Sequence, residues 1–216
     1  VSLVPEMKTI SVGERVRLGA AVTFAEAMEN ELLCRRVAFL AQACASVGAT
    51  QIRNMGTLGG NIANAAACAD TLPVLICLDA EAIIAAPYGE RREPIAKLVQ
   101  GPYQTGLQPG ELIVAFEFDA PPPQARTAFI KLGRRNALAI SRLSVAAIGQ
   151  VDERGRVCMA RLAPGSAFTH TRRAVEVETL LLGKTADADT IARAGDLMAQ
   201  TMIAESGRRW STAYKE

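Results

Sequence analysis

The chain carries a single histidine, His170, in 216 residues. That excludes a His-rich metal site and any catalytic triad that needs a second imidazole. Aromatic residues make up only 5%, too few for the stacking platforms that hold single-stranded nucleic acid. Charge is nearly balanced at +2, which gives no reason to expect nucleic acid or an anionic membrane surface as partner. The cysteines are Cys34, Cys44, Cys68, Cys77 and Cys158, and none forms a CxxC pair. Such an odd, scattered set fits buried thiols in a reducing compartment better than a disulfide framework. It also argues against an iron–sulfur cluster held by this chain, because such clusters usually need four grouped thiolates. The longest apolar run, residues 72–86, is broken by Asp79 and Glu81 and is too short and too charged to span a bilayer. With no signal peptide visible at the start, the cytoplasm is the default location. Neither GxGxxG after a strand nor Gly-Lys-Ser/Thr occurs, so the dinucleotide and P-loop fingerprints are both absent.

What is present is the composition of a folded protein, half hydrophobic and 21% charged, with length for one large domain or two small ones. Val1 is not a natural initiator and the stretch after Ser211 stops abruptly, so residues are expected to be missing at one or both ends. Residues 15–22 (RVRLGAAV) read as a strand running into a helix, with Thr23 and Glu26 spaced as a capping box. Residues 36–47 carry an apolar stripe at Val37, Leu40, Ala41, Cys44 and Val47, which predicts an amphipathic helix ended by Gly48. Asp70 before Pro73 is a helix-start signal. Residues 81–86 and 112–118 predict strands, with a hairpin turn at Tyr88, Gly89 and Glu90. Pro121, Pro122 and Pro123 cannot donate to a sheet and mark the expected domain boundary. Beyond them, strands are predicted at 127–132, 143–151 and 156–163, with a hairpin at 152–155, then helices at 171–182 and 189–205. That order is an α+β unit.

Between these elements, residues 48–69 follow neither the helical nor the strand period and read as a long loop, which inside a domain is usually functional. Its centre is Thr57, Leu58, Gly59, Gly60 and Asn61. Paired glycines allow close backbone approach, and successive N–H groups can form an anion-binding concavity. Thr57, Asn61 and Asn64 add donors, so the segment could hold a diphosphate without a positive charge, while Asp70 could accept from sugar hydroxyls. An ordinary turn and a plain helix cap are the competing readings.

The stretch QIRNMGTLGGNIANA at residues 51–65, continuing through Ala69, Asp70, Thr71, Leu72 and Pro73, resembles the second FAD-binding loop of the medium subunits of molybdenum hydroxylases, the family of carbon monoxide dehydrogenase flavoproteins and xanthine dehydrogenase FAD domains. Flanking segments extend the resemblance: LGAAVT at 18–23, GELIVAFEF at 110–118, FIKLGRR at 129–135 and the closing stretch 208–214. It implies a FAD-binding domain of the vanillyl-alcohol-oxidase (PCMH-like) type, here its second subdomain at 1–119, then a Pro-rich linker at 120–125. A small CO-dehydrogenase-flavoprotein C-terminal-like domain follows at 126–216. It further implies that Thr57, Gly59, Gly60, Asn61 and Asn64 line the FAD diphosphate and neighbouring sugar, and that Asp70 bonds the sugar region. Ile113 would supply backbone or apolar contact. Lys131 would lie near the isoalloxazine, where a cation could stabilise reduced flavin.

The chain departs from the family in one respect. Members carry an earlier Ala-Gly-Gly-Thr-like loop, and none precedes or lies within residues 1–6. On that resemblance about 50 to 70 residues of an N-terminal subdomain are expected upstream. The partners implied are a large molybdopterin subunit and a small [2Fe–2S] subunit, as a heterotrimer or a dimer of heterotrimers, passing electrons to FAD and on to NAD, quinone or oxygen. Two other readings stay open: a scaffold subunit that has lost FAD, and a stand-alone flavin oxidase. Arg134 and Arg135 could line a flavin or an acidic partner, or simply end a strand. His170, Cys68, Tyr88, Tyr103 and Trp210 read as surface, packing or interface residues.

Overall fold

The computed structural model describes residues 4–135, 138–208 and 212. Trp210 and most of the closing stretch 208–214 lie outside the described residues. The chain opens with a 3-10 turn, Pro5–Lys8, then β1 (Ile10–Val12) and β2 (Arg15–Gly19). Val16 and Leu18 of β2 point into the core while Arg15 stays exposed, the period-two pattern of a strand with one covered face. A helical run follows: α1 (Phe24–Glu29), α2 (Glu31–Arg36), α3 (Ala38–Ser46), α4 (Thr50–Met55), α5 (Leu58–Asn64) and α6 (Thr71–Cys77). The predicted capping box is present: Thr23 Oγ1 accepts from the Glu26 N–H at 3.1 Å, and the Thr23 N–H donates to Glu26 Oε2 at 2.8 Å.

Next come β3 (Glu81–Ala86), β4 (Gly89–Pro94), α7 (Ile95–Leu98), the small hairpin β5 (Val99–Gly101) and β6 (Gln104–Thr105), and β7 (Leu112–Asp119). A five-stranded antiparallel sheet forms in the order β1-β2-β7-β3-β4. One of its faces carries a lattice of ion pairs in which Glu117 meets Arg15, Arg17 and Arg92, and Glu81 meets Arg15 and Arg92. Before β7, Glu111 receives two hydrogen bonds from Arg91, at 2.7 and 2.8 Å, and one from the Gln108 N–H at 2.8 Å. These donors, Arg91 foremost, hold its carboxyl down at about 2. A depressed acid stabilises the fold above its unfolded value, 4.5, and that contribution is lost as pH falls toward 2. Glu111→Gln is therefore expected to flatten the stability–pH curve between those values in acid titrations of unfolding. An unchanged slope would contradict the assignment.

The C-terminal part is a three-stranded antiparallel sheet of β8 (Arg126–Leu132), β9 (Leu143–Val151) and β10 (Val157–Gly165), in the order β10-β9-β8. Asp152 Oδ1 closes the predicted hairpin by accepting from the Arg154 and Arg156 N–H groups. One face buries Ala146, Ile148 and Ala163 in the same core as α3 and α6. The other packs on α8 (Val175–Leu181) and α9 (Ala188–Ser206) through Val157, Val177, Leu181 and Ala194. Every residue of α6 is buried, so this helix is apolar all round and shows no amphipathic stripe. Its Cys77 thiol donates toward the Arg161 carbonyl, and burial pushes that thiol up to about 12.

Three expectations change. Residues 48–69 are not one loop but largely α4 and α5. Each helix is less than two turns long, and α4 buries no residue, so a 3.6-residue stripe never develops. Asp70 precedes a helix as expected, yet its side chain makes no cap bond, being committed to Lys131. The helix expected from 171 begins only at Val175. The preceding residues are held extended by the Ala174 N–H on the Leu162 carbonyl and by Arg173, which bridges Asp79 and Glu178. Among the described residues no helix is long and apolar enough to cross a membrane.

Candidate functional site

The glycine segment is built on the turn that follows β2. Residues 20–22, the turn that follows β2, and the start of α5 run side by side: the Leu58 N–H donates to the Val22 carbonyl at 2.9 Å, and the Gly59 N–H to the Ala20 carbonyl at 2.8 Å. Thr57 caps the helix, its Oγ1 accepting from the Gly60 N–H at 3.0 Å, and the Asn61 N–H bonds the Thr57 carbonyl. The expected nest of free N–H groups is thus absent, because residues 58–61 spend theirs inside the protein. Thr57→Ala is expected to cost about 1 kcal/mol of stability by loss of this cap, and Thr57→Ser to restore it, as read by urea unfolding.

The two glycines do different things. A Cβ on Gly59 would lie 2.6 Å from Ala20 Cβ and 2.7 Å from the Ala20 carbonyl oxygen, so Gly59 is needed for the helix to touch the turn after β2. A Cβ on Gly60 would meet only Thr57 Oγ1, at 3.1 Å, and Gly60 is exposed. Gly60, Ala63 and Asn64 are exposed and Asn61 half-buried, so they form the open face of α5. Asn61 Oδ1 accepts from Thr71 Oγ1 at 2.6 Å, which turns the amide so that its NH₂ remains to donate. Ala65 ends the helix in the left-handed conformation, φ +47°.

Behind this face, Asp70 Oδ2 accepts from Lys131 Nζ at 2.6 Å, and the same ammonium donates to the Ser46 carbonyl at 2.9 Å. The pair joins α3, the turn before α6 and β8. Burial raises the Asp70 carboxyl above its ordinary value, with the Lys131 bond and charge opposing that shift. Its Oδ1 is buried with no partner, an acceptor left for a donor from outside. Ile113 sits within β7, paired with Ile84 and buried in the core.

The structure therefore brings Thr57, Gly60, Asn61 and Asn64 to one face, seats Gly59 beneath it, couples Asp70 to Lys131 and places Ile113 in the core. The carbonyls of Ala20 and Ser46 and the hydroxyl of Thr71 were not legible in the sequence. Two of these are backbone groups, and Thr71 has no motif of its own. His170, Tyr88 and Tyr103 are exposed, Cys68 is half-buried, and Glu26 serves the capping box. The residues present fit a flavin dinucleotide through side chains more than through backbone N–H groups. The face is open at Gly60, amides and a hydroxyl stand on it, and Asp70 has an unused oxygen, whereas backbone donors are spent.

Comparison with known proteins gives three findings. A family model described as the FAD binding domain in molybdopterin dehydrogenase matches residues 1–121, and one described as the CO dehydrogenase flavoprotein C-terminal domain matches 128–216. Among curated relatives, the xanthine dehydrogenase FAD-binding subunit of Escherichia coli O157:H7 is 31% identical over 216 residues, 97% of this chain and 73% of the relative. The 6-hydroxypseudooxynicotine dehydrogenase complex subunit alpha of Paenarthrobacter nicotinovorans is 30% identical over 202 residues, 93% of this chain and 68% of the relative. Among solved structures, a chain of the carbon monoxide dehydrogenase from Hydrogenophaga pseudoflava that lacks the Mo-pyranopterin moiety superposes with a TM-score of 0.90. It is 25% identical and covers 100% of this chain and 75% of that one. Quinoline 2-oxidoreductase from Pseudomonas putida 86 gives 0.85 at 29% identity, over 91% and 68%.

Proposed function

The chain belongs to the FAD-binding medium subunits of the molybdenum hydroxylases, and from that premise we propose that it carries FAD with the diphosphate against the open face of α5. The single observation that supports the placement is the contrast between its glycines: Gly59 is filled by Ala20, while Gly60 faces outward with space beyond it. Asn61 and Asn64 amides and the Thr57 hydroxyl bind the phosphate oxygens and neighbouring sugar, in place of the backbone N–H groups that the helix consumes. Asp70 offers its unused oxygen to a hydroxyl of the sugar chain, and Lys131 holds that carboxylate in position while adding a cation to the region. Ile113 stiffens the strand behind.

When bound, FAD supplies the redox chemistry, accepting electrons and passing them on. This chain's residues hold and electrostatically tune it, and none is assigned as a general acid or base for the substrate. Substrate oxidation belongs on this reading to a large molybdopterin subunit, with [2Fe–2S] clusters on a small subunit between the two. Relatives described as subunits of dehydrogenase complexes support that arrangement. The outlet is an external acceptor such as NAD, a quinone or oxygen.

The test is purification of the full-length protein with its neighbours. We expect flavin absorption bands on this chain, with molybdenum and iron on two co-purifying chains. A folded chain that takes up no FAD on reconstitution would point instead to a scaffold subunit. Flavin on a chain that purifies alone and turns over substrate unaided would point to a stand-alone oxidase.

A further inference from the structure

Residues 54–90 hold no Lys, Arg or His, and the backbone N–H groups at the start of α5 are spent within the protein. Apart from Lys131, which is tied to Asp70 behind the face, attraction for a phosphate there falls to a few neutral side-chain donors. A carboxamide donates at one end and accepts at the other, and the two ends have nearly the same shape. Turned one way, Asn61 offers a phosphate its N–H groups. Turned the other way, it offers a carbonyl oxygen, which repels the phosphate oxygens. Whatever fixes the turn of this amide therefore fixes a large part of the affinity.

Thr71, the first residue of α6, is fully buried, and its Oγ1 donates to Asn61 Oδ1 at 2.6 Å. Among the described residues this is the one hydrogen bond of that hydroxyl, and the Asn61 NH₂ has none. Threonines inside a helix commonly turn the hydroxyl back on the carbonyl four residues earlier, as Thr179 does on Val175 and Thr201 on Leu197, both at 2.8 Å. Thr71 stands at the helix start and has no such turn before it. Were the Asn61 amide to swing round, the buried hydroxyl proton would lose its acceptor, which costs more than a bond never made. The hydroxyl is itself held in place. Every residue of α6 is buried, and a Cβ on Gly165 of β10 would lie 3.2 Å from Pro73 Cγ, so β10 closes on the first turn of the helix.

We infer that Thr71 is a positioning residue for the cofactor: its hydroxyl holds the Asn61 amide with the NH₂ outward, and so makes a face without cations receptive to phosphate. It acts through Asn61 and does not itself touch the ligand. The start of α6 thus sets two polar groups of a site that the glycine motif places on α5, the Asp70 carboxyl directly and the Asn61 amide through Thr71. The inference rests on the reading that FAD lies against the open face of α5. A threonine that only fills space in the core would lower stability when altered, but its effect on FAD would not depend on Asn61.

The experiment is a double-mutant cycle on the full-length protein, read as FAD dissociation constants from flavin fluorescence, with urea unfolding of each variant. Thr71→Val keeps the shape and removes the donor, and should weaken FAD about fivefold or more, while Thr71→Ser should restore the affinity. Asn61→Ala should weaken FAD about tenfold. Adding Thr71→Val to Asn61→Ala should weaken it no further, because nothing is left to position. Asn61→Asp, which still accepts from Thr71 but turns an oxygen to the phosphate, should bind FAD more weakly than Asn61→Ala, and this holds the inference to account even if Thr71→Val does not fold. Equal affinities of the wild type and Thr71→Val, no rescue by Thr71→Ser, the same further loss on the Asn61→Ala background, or tighter binding by Asn61→Asp than by Asn61→Ala would each overturn the inference and leave the FAD placement standing. A folded wild type that takes up no FAD would overturn both.

Discussion

Asp70→Ala is expected to lower the stability of the folded chain by about 3–5 kcal/mol, the usual cost of stripping one partner from a buried ion pair. Lys131 Nζ would keep only the Ser46 carbonyl, and its side chain, 14% exposed, has little water to turn to. Lys131→Met should cost a similar amount for the opposite reason, leaving the Asp70 carboxylate buried with both oxygens lacking a charged partner. The double variant, with both charges gone, should be much less destabilised than the sum of the singles, because the penalty lies in the unpaired charge more than in the lost pair. Urea unfolding of the four proteins gives the coupling directly, and additive costs would contradict it. The pH dependence has a definite sign. Burial raises the Asp70 carboxyl, and without Lys131 it rises further. A raised acid binds its proton more tightly when folded, so stability falls as pH climbs from the unfolded value through the folded one. Lys131→Met should therefore recover stability on acidification relative to the wild type.

The second large effect separates the glycines. Gly59→Ala places a methyl group 2.6 Å from Ala20 Cβ and 2.7 Å from a backbone oxygen. Neither can swing away, since Ala20 is itself bonded to the Val114 carbonyl of β7. Overpacking of this kind costs about 1–3 kcal/mol, and it would strain the turn-to-helix bonds at Leu58 and Gly59 as well. Gly60→Ala meets only the Thr57 hydroxyl, and alanine's better helix propensity, about 1 kcal/mol over glycine, offsets that contact. Its stability should stay near the wild-type value. If Gly59 instead faced the cofactor, Gly59→Ala would leave stability untouched.

Most strands of the two larger sheets, the capping box and the hairpin at Asp152 were legible because alternation and turn chemistry act over a few residues; β1, only three residues long, was not. Residues 48–69 were not. There the helices are too short to show a period, and their glycines serve contact between elements, as Gly59 with Ala20 and Gly56 with Phe24. The candidate site was legible as a motif through Thr57, Asn61 and Asn64, but its hydrogen bonding was not. That residues 58–61 spend their N–H groups on the turn after β2 and on Thr57 depends on a segment distant in sequence. The pairing of Asp70 with Lys131 spans 61 residues, beyond any local pattern. Helix α6 was read from its start signal alone, since a segment buried on every side carries no amphipathic period.

The central claim is that FAD rests on the open face of α5. The most direct measurement is the FAD dissociation constant of the full-length protein and of Gly60→Ala, followed by flavin fluorescence, with urea unfolding of both as control. The account predicts stoichiometric FAD binding by the wild type and, in the variant, affinity weakened about tenfold or more at unchanged stability, because a methyl group then stands where the diphosphate approaches. Equal affinities in two equally stable proteins would contradict it.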